Sequence, residues 1–518
     1  MIDLFEHIPA LLIAVPLLGA FLTPLLGKVN KNARNIWVLL ILALTAAMSF
    51  LLAQDVYTNG IKLYTFGADI PSLTHPDTVS IPVRIIFEID GMSVFMLLIS
   101  VIIGFLAALY SISFIKDENG IERYYTLLLL LITGMIGMEL TGDLFNFFVF
   151  IEITSISAAA LIATMVDREQ SFEAAFKYLV LSSIGALFLL LAIGFLYGQY
   201  DALNIATIAS SMQYTFADRM ALVLIIGALA LKAGLAPMHM WMPDAYGEAP
   251  PSVTIAVMAA TLASLYGLIR MCFTLYGSSI FNLSVIGALI VAMAMISIII
   301  GATMALIQSN LTRAIAYAAV AEIGYMLLGI GTALHVGINE FGETALTGGI
   351  FHIFNDVLDV GLLFLATGAV IYATNEKSLS NLGGLARKMK FTTIFFLIGL
   401  LAAAGMPPMN GFASKIIIYE SVYRLNPLLS IGAILASILM LAIFVRIFYS
   451  VFLGPELPNL KNVREVPKAM LISMAIISML IIIFGLFPGY VIDNLVAPAA
   501  SALANPESYI NAVLLGGA

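Results

Sequence analysis

His352, Asp356 and Asp359 stand at i, i+4 and i+7 in the apolar run IFHIFNDVLDVGLLFL, so a helix places them on one face. Three ionisable side chains buried unpaired in such surroundings would be costly, and a hydrated lining that passes protons or cations is the chemistry that retains them. Two lysines share the setting, Lys232 in LALKAGLAPMHMW and Lys415 in GMPPMNGFASK. A charge at the centre of a bilayer costs about 2.5–3.5 kcal/mol on insertion scales, so a lysine kept there is read as a transport residue. Glu322 and Glu139 are further acidic candidates; Glu139, close to Asp143 and a span end, fits a solvated location at least as well.

The elements that hold these residues follow from composition. With 61% apolar and 10% charged residues the chain is a polytopic membrane protein. Runs of about 20 apolar residues follow one another, and fourteen spans begin near residues 8, 35, 92, 123, 144, 173, 219, 251, 281, 314, 345, 391, 427 and 468. The fold class is all-α, one bundle without a soluble domain. The start MIDLFEHIPALLIAV is acidic where a signal peptide is basic, so the first span is expected to be retained. The single cysteine, Cys272, excludes an internal disulfide or iron–sulfur cluster. No cofactor is expected, and redox chemistry falls to a partner. Nothing resembles a phosphate loop, metal cluster or nucleophile elbow, and an acidic, membrane-buried chain does not fit nucleic acid.

Basic residues gather on one side. Lys28, Lys31 and Arg34 follow span one, Lys116 and Arg123 span three, Arg168 and Lys177 span five, and Arg313 span nine. Lys377, Arg387, Lys388 and Lys390 follow span eleven, and Lys461, Arg464 and Lys468 span thirteen. The opposite loops hold Lys62, Arg84, Arg219 and Arg424, with Arg270 near the end of span eight. Both termini are therefore expected outside, in the cell membrane of a prokaryote.

Lys232, Lys415 and Arg446 remain inside the spans. Lys232 precedes Pro237 and Lys415 follows Pro407 and Pro408, so both helices should break at mid-membrane, where irregular backbone is tolerated only inside protein or beside a wet cavity. Two such breaks point to inverted repeats with ion sites at the breaks. The expected divisions are 1–120 (spans one to three), 121–277 (first repeat, spans four to eight), 278–455 (second repeat, spans nine to thirteen) and 456–518 (span fourteen and the tail).

KAGLAPMHMWMPDAYGEAPPS with SLYGLIR, LTRAIAYAAVAEIGYMLLGIG, FHIFND and GMPPMNGFASK resemble the proton-conducting subunit family shared by respiratory complex I and the Mrp-type cation/proton antiporters, from about span four to span thirteen. With only about two dozen residues after span fourteen, the chain looks more like the D-type member of the Mrp antiporters than like the largest complex I member, and subunits of this kind also occur in archaeal membrane-bound hydrogenase complexes and related reductases. The resemblance implies fourteen helices with inverted five-helix repeats and a chain of buried ionisable residues at mid-membrane. It assigns Glu152, in NFFVFIEITSIS, as the partner of Lys232, His239 as the histidine after the first break, and Lys415 as the lysine of the second broken helix. Physically, a carboxylate near a desolvated lysine raises its pKa and separation lowers it, so the pair can switch a proton. His239 can relay a proton near neutral pH or simply hydrogen-bond within the broken loop.

The chain departs from the family pattern at Leu262 and Val360, where members carry cations, and has acids at Glu322 and Asp356 where members carry other polar groups. The route can then use acids, water or Na⁺, since carboxylates suit a hard cation. Two functions follow: an ion-translocating subunit moving H⁺, with Na⁺/H⁺ exchange as a variant, or a non-conducting scaffold that joins a redox module to other membrane subunits. The chain itself needs no catalytic chemistry. Its assembly would be a hydrogenase or NADH/quinone reductase type oxidoreductase, or an Mrp antiporter.

Overall fold

A computed structural model of the chain describes residues 5–66, 85–115, 120–164, 169–277, 283–338 and 341–515. Arg84, Lys116 and Arg168, counted above as loop cations, lie outside them. Among the described residues twelve helices are long and apolar enough to cross a membrane: Ile8–Val29, Lys31–Asn59, Gly91–Phe114, Ile121–Leu140, Leu144–Ile162, Glu169–Tyr200, Pro251–Leu275, Leu283–Ile307, Leu311–Val336, Gly342–Thr374, Pro427–Leu453 and Lys468–Leu486. Two interrupted helices complete the fourteen. Span seven runs over Phe216–Lys232, breaks, and resumes as Met238–Trp241 and Met242–Glu248; span twelve runs over Lys390–Ala403 and resumes as Asn410–Leu425. Every span begins within four residues of its expected start, because a backbone in hydrocarbon must bond within its own helix and therefore keeps to the apolar runs.

The all-α expectation holds with one addition. A short antiparallel pair, β1 (Lys62–Thr65) and β2 (Ile86–Ile89), precedes span three, with Phe87 bridging to Thr141. Four-residue strands are too short to show as a period in so apolar a sequence. Central spans are enclosed by others: the most apolar windows of spans eight and ten are wholly buried, whereas most residues in those of spans one, six and thirteen are not. Exposed Phe176, Leu187, Leu289 and Leu435 line the outer spans, as a lipid-facing surface requires.

The two breaks share one backbone form. Each first half-helix is capped by an alanine (Ala233, Ala404) followed by a glycine at positive φ, +71° at Gly234 and +69° at Gly405, and then by a cis peptide bond, Ala236–Pro237 or Pro407–Pro408. The amides of Leu235 and Met406 reach back to the carbonyls of Ala230 and Leu401 at 3.0 and 2.9 Å, so the glycine turn satisfies carbonyls that the break would orphan.

Charges at the helix ends sort by position. Around the second half of span seven, Asp244 accepts from Lys177 (2.8 Å) and Arg313 (2.7 Å), and Glu248 accepts from Lys377 (2.8 Å). These three cations all belong to the basic side of the sequence. Arg270, counted above among outer-loop cations, is instead buried at 2% exposure and holds Asp90 with two bonds of 2.6 Å, while Tyr509 stacks on its guanidinium at 4.7 Å. Arg34 is likewise buried, over the Tyr125 ring. Arg446, within span thirteen, is exposed, and its long arm reaches the carbonyls of Leu306 (2.6 Å) and Gln308 (3.1 Å) at the end of span nine.

Replacing Gly405 tests the break directly. A left-handed backbone costs a side-chain-bearing residue about 1–2 kcal/mol, and a Cβ there would stand 3.0 Å from Lys415 Cδ. Gly405→Ala should lower the thermal midpoint of the purified protein, whereas an alanine at Gly194, where a Cβ meets nothing within 4 Å, should lower it much less.

Candidate proton-path site

At the first break Lys232 is the last residue of its half-helix and is 6% exposed. Its Nζ donates to Ser155 Oγ and Ser182 Oγ, both at 2.7 Å, and the two serines bond each other at 3.0 Å. These groups, with Thr154, Tyr178, Thr261 and Ser264, line a cavity beside the broken helix. Lys232 makes no ion pair among the described residues. Its expected partner Glu152, also on span five, is half-buried on the face that carries the exposed Val149 and Ile156, and its Oε1 has no hydrogen-bond partner. The lysine feels that carboxylate electrostatically but does not bond it. Ser155, three residues further on, occupies the position toward the lysine. The pairing assigned by resemblance is thus open in this structure, because three residues set Glu152 about 60° round the helix from the serine that meets span seven.

The second break is closed. Lys415, 1% exposed, donates to the carbonyl of Ala403 at 2.7 Å and to Glu322 Oε1 at 2.8 Å, with the Tyr325 ring 4.5 Å away. Ala403 ends its half-helix, as Lys232 does at the first break, so each break carries an ammonium at the negative end of a helix dipole. The other oxygen of Glu322 meets His352 Nε2 at 2.9 Å, and His352 Nδ1 meets Ser414 Oγ at 2.9 Å. Asn355 donates to the same serine at 2.8 Å. This suits a neutral imidazole that accepts from Ser414 and donates from Nε2 to the carboxylate.

Asp356 and Asp359 are 2% and 1% exposed, and Oδ1 of each has no hydrogen-bond partner. Asp359 packs against the start of the second half of span twelve, where a Cβ on Gly411 would stand 2.9 Å from its Oδ2. Among the described residues no three of His, Cys, Asp and Glu converge as a metal site, so the acids are strung along the helix. Of the two locations open to Glu139, the structure shows the buried one: it is fully buried and accepts from Ser100 Oγ at 2.5 Å, where span three covers the end of span four. His239 lies in the 3-10 turn after Pro237, 5% exposed, with Nδ1 unpartnered and no hydrogen bond or ion pair to the other candidates. Leu262 and Val360 are buried.

The structure therefore joins Glu322, His352 and Lys415 in one network and leaves Glu152, His239 and Glu139 apart from it. Ser155, Ser182 and Ser414, which hold the lysine and the histidine, went unread in the sequence. Ser155 sits three residues after Glu152 and was in principle visible, but small hydroxyls are common in membrane helices and usually bond their own backbone.

A model described as the NADH:quinone oxidoreductase/Mrp antiporter transmembrane region matches residues 141–443, more than half of the chain. The chain belongs to this family. A second model, for the N-terminus of complex I chain 5, matches residues 77–125. Among the family's members, the D-type subunit of the Na⁺/H⁺ antiporter of Bacillus subtilis is 31% identical, over 97% of this chain and 98% of its own length. The N-type subunit of the NADH-quinone oxidoreductase of Desulforudis audaxviator is 30% identical, over 95% and 98%. A chain of the archaeal membrane-bound sulfane sulfur reductase is 29% identical with a TM-score of 0.83, over 98% of this chain and 100% of that one. A chain of the Mrp complex from Dietzia sp. has the same fold, with a TM-score of 0.87, over 99% and 100%, at 24% identity. The family thus includes subunits of multisubunit membrane complexes, and the chain is a multi-pass membrane protein.

The open and closed breaks should differ in stability. Removing one member of a buried ion pair costs about 3–5 kcal/mol because the other charge is left unpaired. Lys415→Met, which strands Glu322, should lower the thermal midpoint in detergent markedly. Lys232→Met leaves only two serines that already bond each other, and should lower it far less. Equal losses would contradict the assigned partners.

Proposed function

We propose that the chain is an ion-translocating subunit that moves H⁺ along a mid-membrane path from Lys232 to Lys415. The observation that carries this reading is the contrast between the breaks: Lys232 is held by neutral hydroxyls while Lys415 is held by Glu322. A lysine without a counter-charge in contact gives up its proton readily, and one bonded to a carboxylate keeps it. A proton supplied to the Lys232 side is thus drawn toward the Lys415 side, with Asp356 and Asp359 between them as acceptors.

On this reading spans four to eight and nine to thirteen are the two repeats, and the matched geometry of the breaks supports that division. The partners are other membrane subunits of an Mrp, complex I-like or hydrogenase-like assembly. The chain sits in the cell membrane of a prokaryote with both termini outside, as the gathering of Lys177, Arg313 and Lys377 at one end supports. The scaffold reading fares worse. A scaffold gains nothing from Asp356 and Asp359, each buried with an oxygen unbonded, because such groups weaken a structure they do not serve.

In proteoliposomes of the intact complex, Lys232→Ala should abolish H⁺ movement while assembly persists; normal transport would overturn the reading. Asp356→Asn combined with Asp359→Asn keeps shape and removes titration, so transport should fall with folding retained. Assaying that double variant and the parent with and without Na⁺ identifies the ion: a Na⁺ response in the parent that the variant loses makes Na⁺ a ligand of the stripe.

A further inference from the structure

The lysine-to-lysine path has a gap where Leu262 and Val360 provide no titrating group. We propose that the paired hydroxyls of Tyr246 and Thr261 fill it, passing the proton from the Lys232 cavity to Asp356. The inference rests on the path proposed above. Thr261, on span eight, lines the same cavity as Lys232. Its Oγ1 stands 2.8 Å from the hydroxyl of Tyr246, on the second half of span seven, and 3.0 Å from the carbonyl of Val257. Tyr246 is 1% exposed, and its ring packs on Phe364 of span eleven, the helix that carries Asp356, whose Oδ1 is unpartnered. One turn before Asp356 on the same helix, His352 meets Glu322, the partner of Lys415. Edge contacts with Trp241 at 6.0 Å and Phe364 at 5.8 Å fix the phenol ring.

Neither hydroxyl needs to ionise. A proton leaves Lys232 Nζ through water in the cavity and binds the Thr261 oxygen as the proton of Thr261 passes to the Tyr246 oxygen and that of Tyr246, carried by intervening water, to the Asp356 carboxylate. Each hydroxyl ends with one proton, Lys232 is neutral and Asp356 is protonated. Rotation of the two O–H bonds resets the pair, and the Val257 carbonyl offers Thr261 a second acceptor during that turn. The apolar Leu262 beside Thr261 then no longer interrupts the route, because hydroxyls carry the proton without a resident charge.

The test uses the intact complex in proteoliposomes with H⁺ movement as the readout. Tyr246→Phe removes only the hydroxyl and keeps the ring contacts, and Thr261→Val keeps the shape of threonine. Each should lose most of the transport seen in the parent, with assembly and thermal midpoint nearly unchanged, while Thr261→Ser, which restores the hydroxyl, should retain it. A role in packing alone predicts the reverse order for serine and valine. Parental transport by Tyr246→Phe or by Thr261→Val, with Lys232→Ala inactive, would overturn the relay and leave the lysine path standing. Parental transport by Lys232→Ala would remove the path itself and the relay with it. If one variant fails to assemble, the other decides.

Discussion

A cation at the carbonyl end of a broken helix is the interaction on which the rest of this structure depends. A half-helix that ends in hydrocarbon leaves carbonyls unpaired and a negative dipole end exposed, which the bilayer cannot solvate. At the second break the ammonium of Lys415 meets this need at Ala403, and at the first the half-helix ends on Lys232 itself. Each lysine enters the membrane as part of the solution to a backbone problem. Having entered, it is a titratable group at the depth where a transported ion must pass.

The two halves place that cation by different means. Lys232 lies before its break and Lys415 after, so the common position at the helix end comes from opposite sides of the turn. The difference matters because the residues around each ammonium also differ. Spans ten, eleven and twelve supply the carboxylate, imidazole and hydroxyl of the network that closes around Lys415. Around Lys232 the contacts are serines and a cavity. One fold thus holds a paired and an unpaired lysine at once.

The charged residues at the membrane faces do a different task. Lys177, Arg313 and Lys377 converge on the short second half of span seven, which has too few turns to be held by its own backbone bonds. The Arg270–Asp90 pair, tied to the tail through Tyr509, clamps the ends of spans three and eight. The first set holds the second half of span seven, and the Arg270–Asp90 pair holds the helices beside it.

Fourteen spans and both breaks were legible in the sequence, since hydrocarbon imposes the length of a span and proline removes a helical donor whatever the surroundings. The stripe of His352, Asp356 and Asp359 was legible as well, because a helical period is local. Which partners these groups take was decided by tertiary structure alone. Glu322 reaches Lys415 across 93 positions and Arg270 reaches Asp90 across 180, and no local rule connects such distances in sequence. The same limit explains Glu152, assigned to Lys232 by resemblance yet not bonded to it, and Glu139, whose cover by Ser100 comes from another span. The sequence determined that Lys232, Lys415 and the stripe of His352, Asp356 and Asp359 lie within the apolar runs. Packing decided which of them are paired, because the facing side of each helix depends on neighbours that its own residues do not specify.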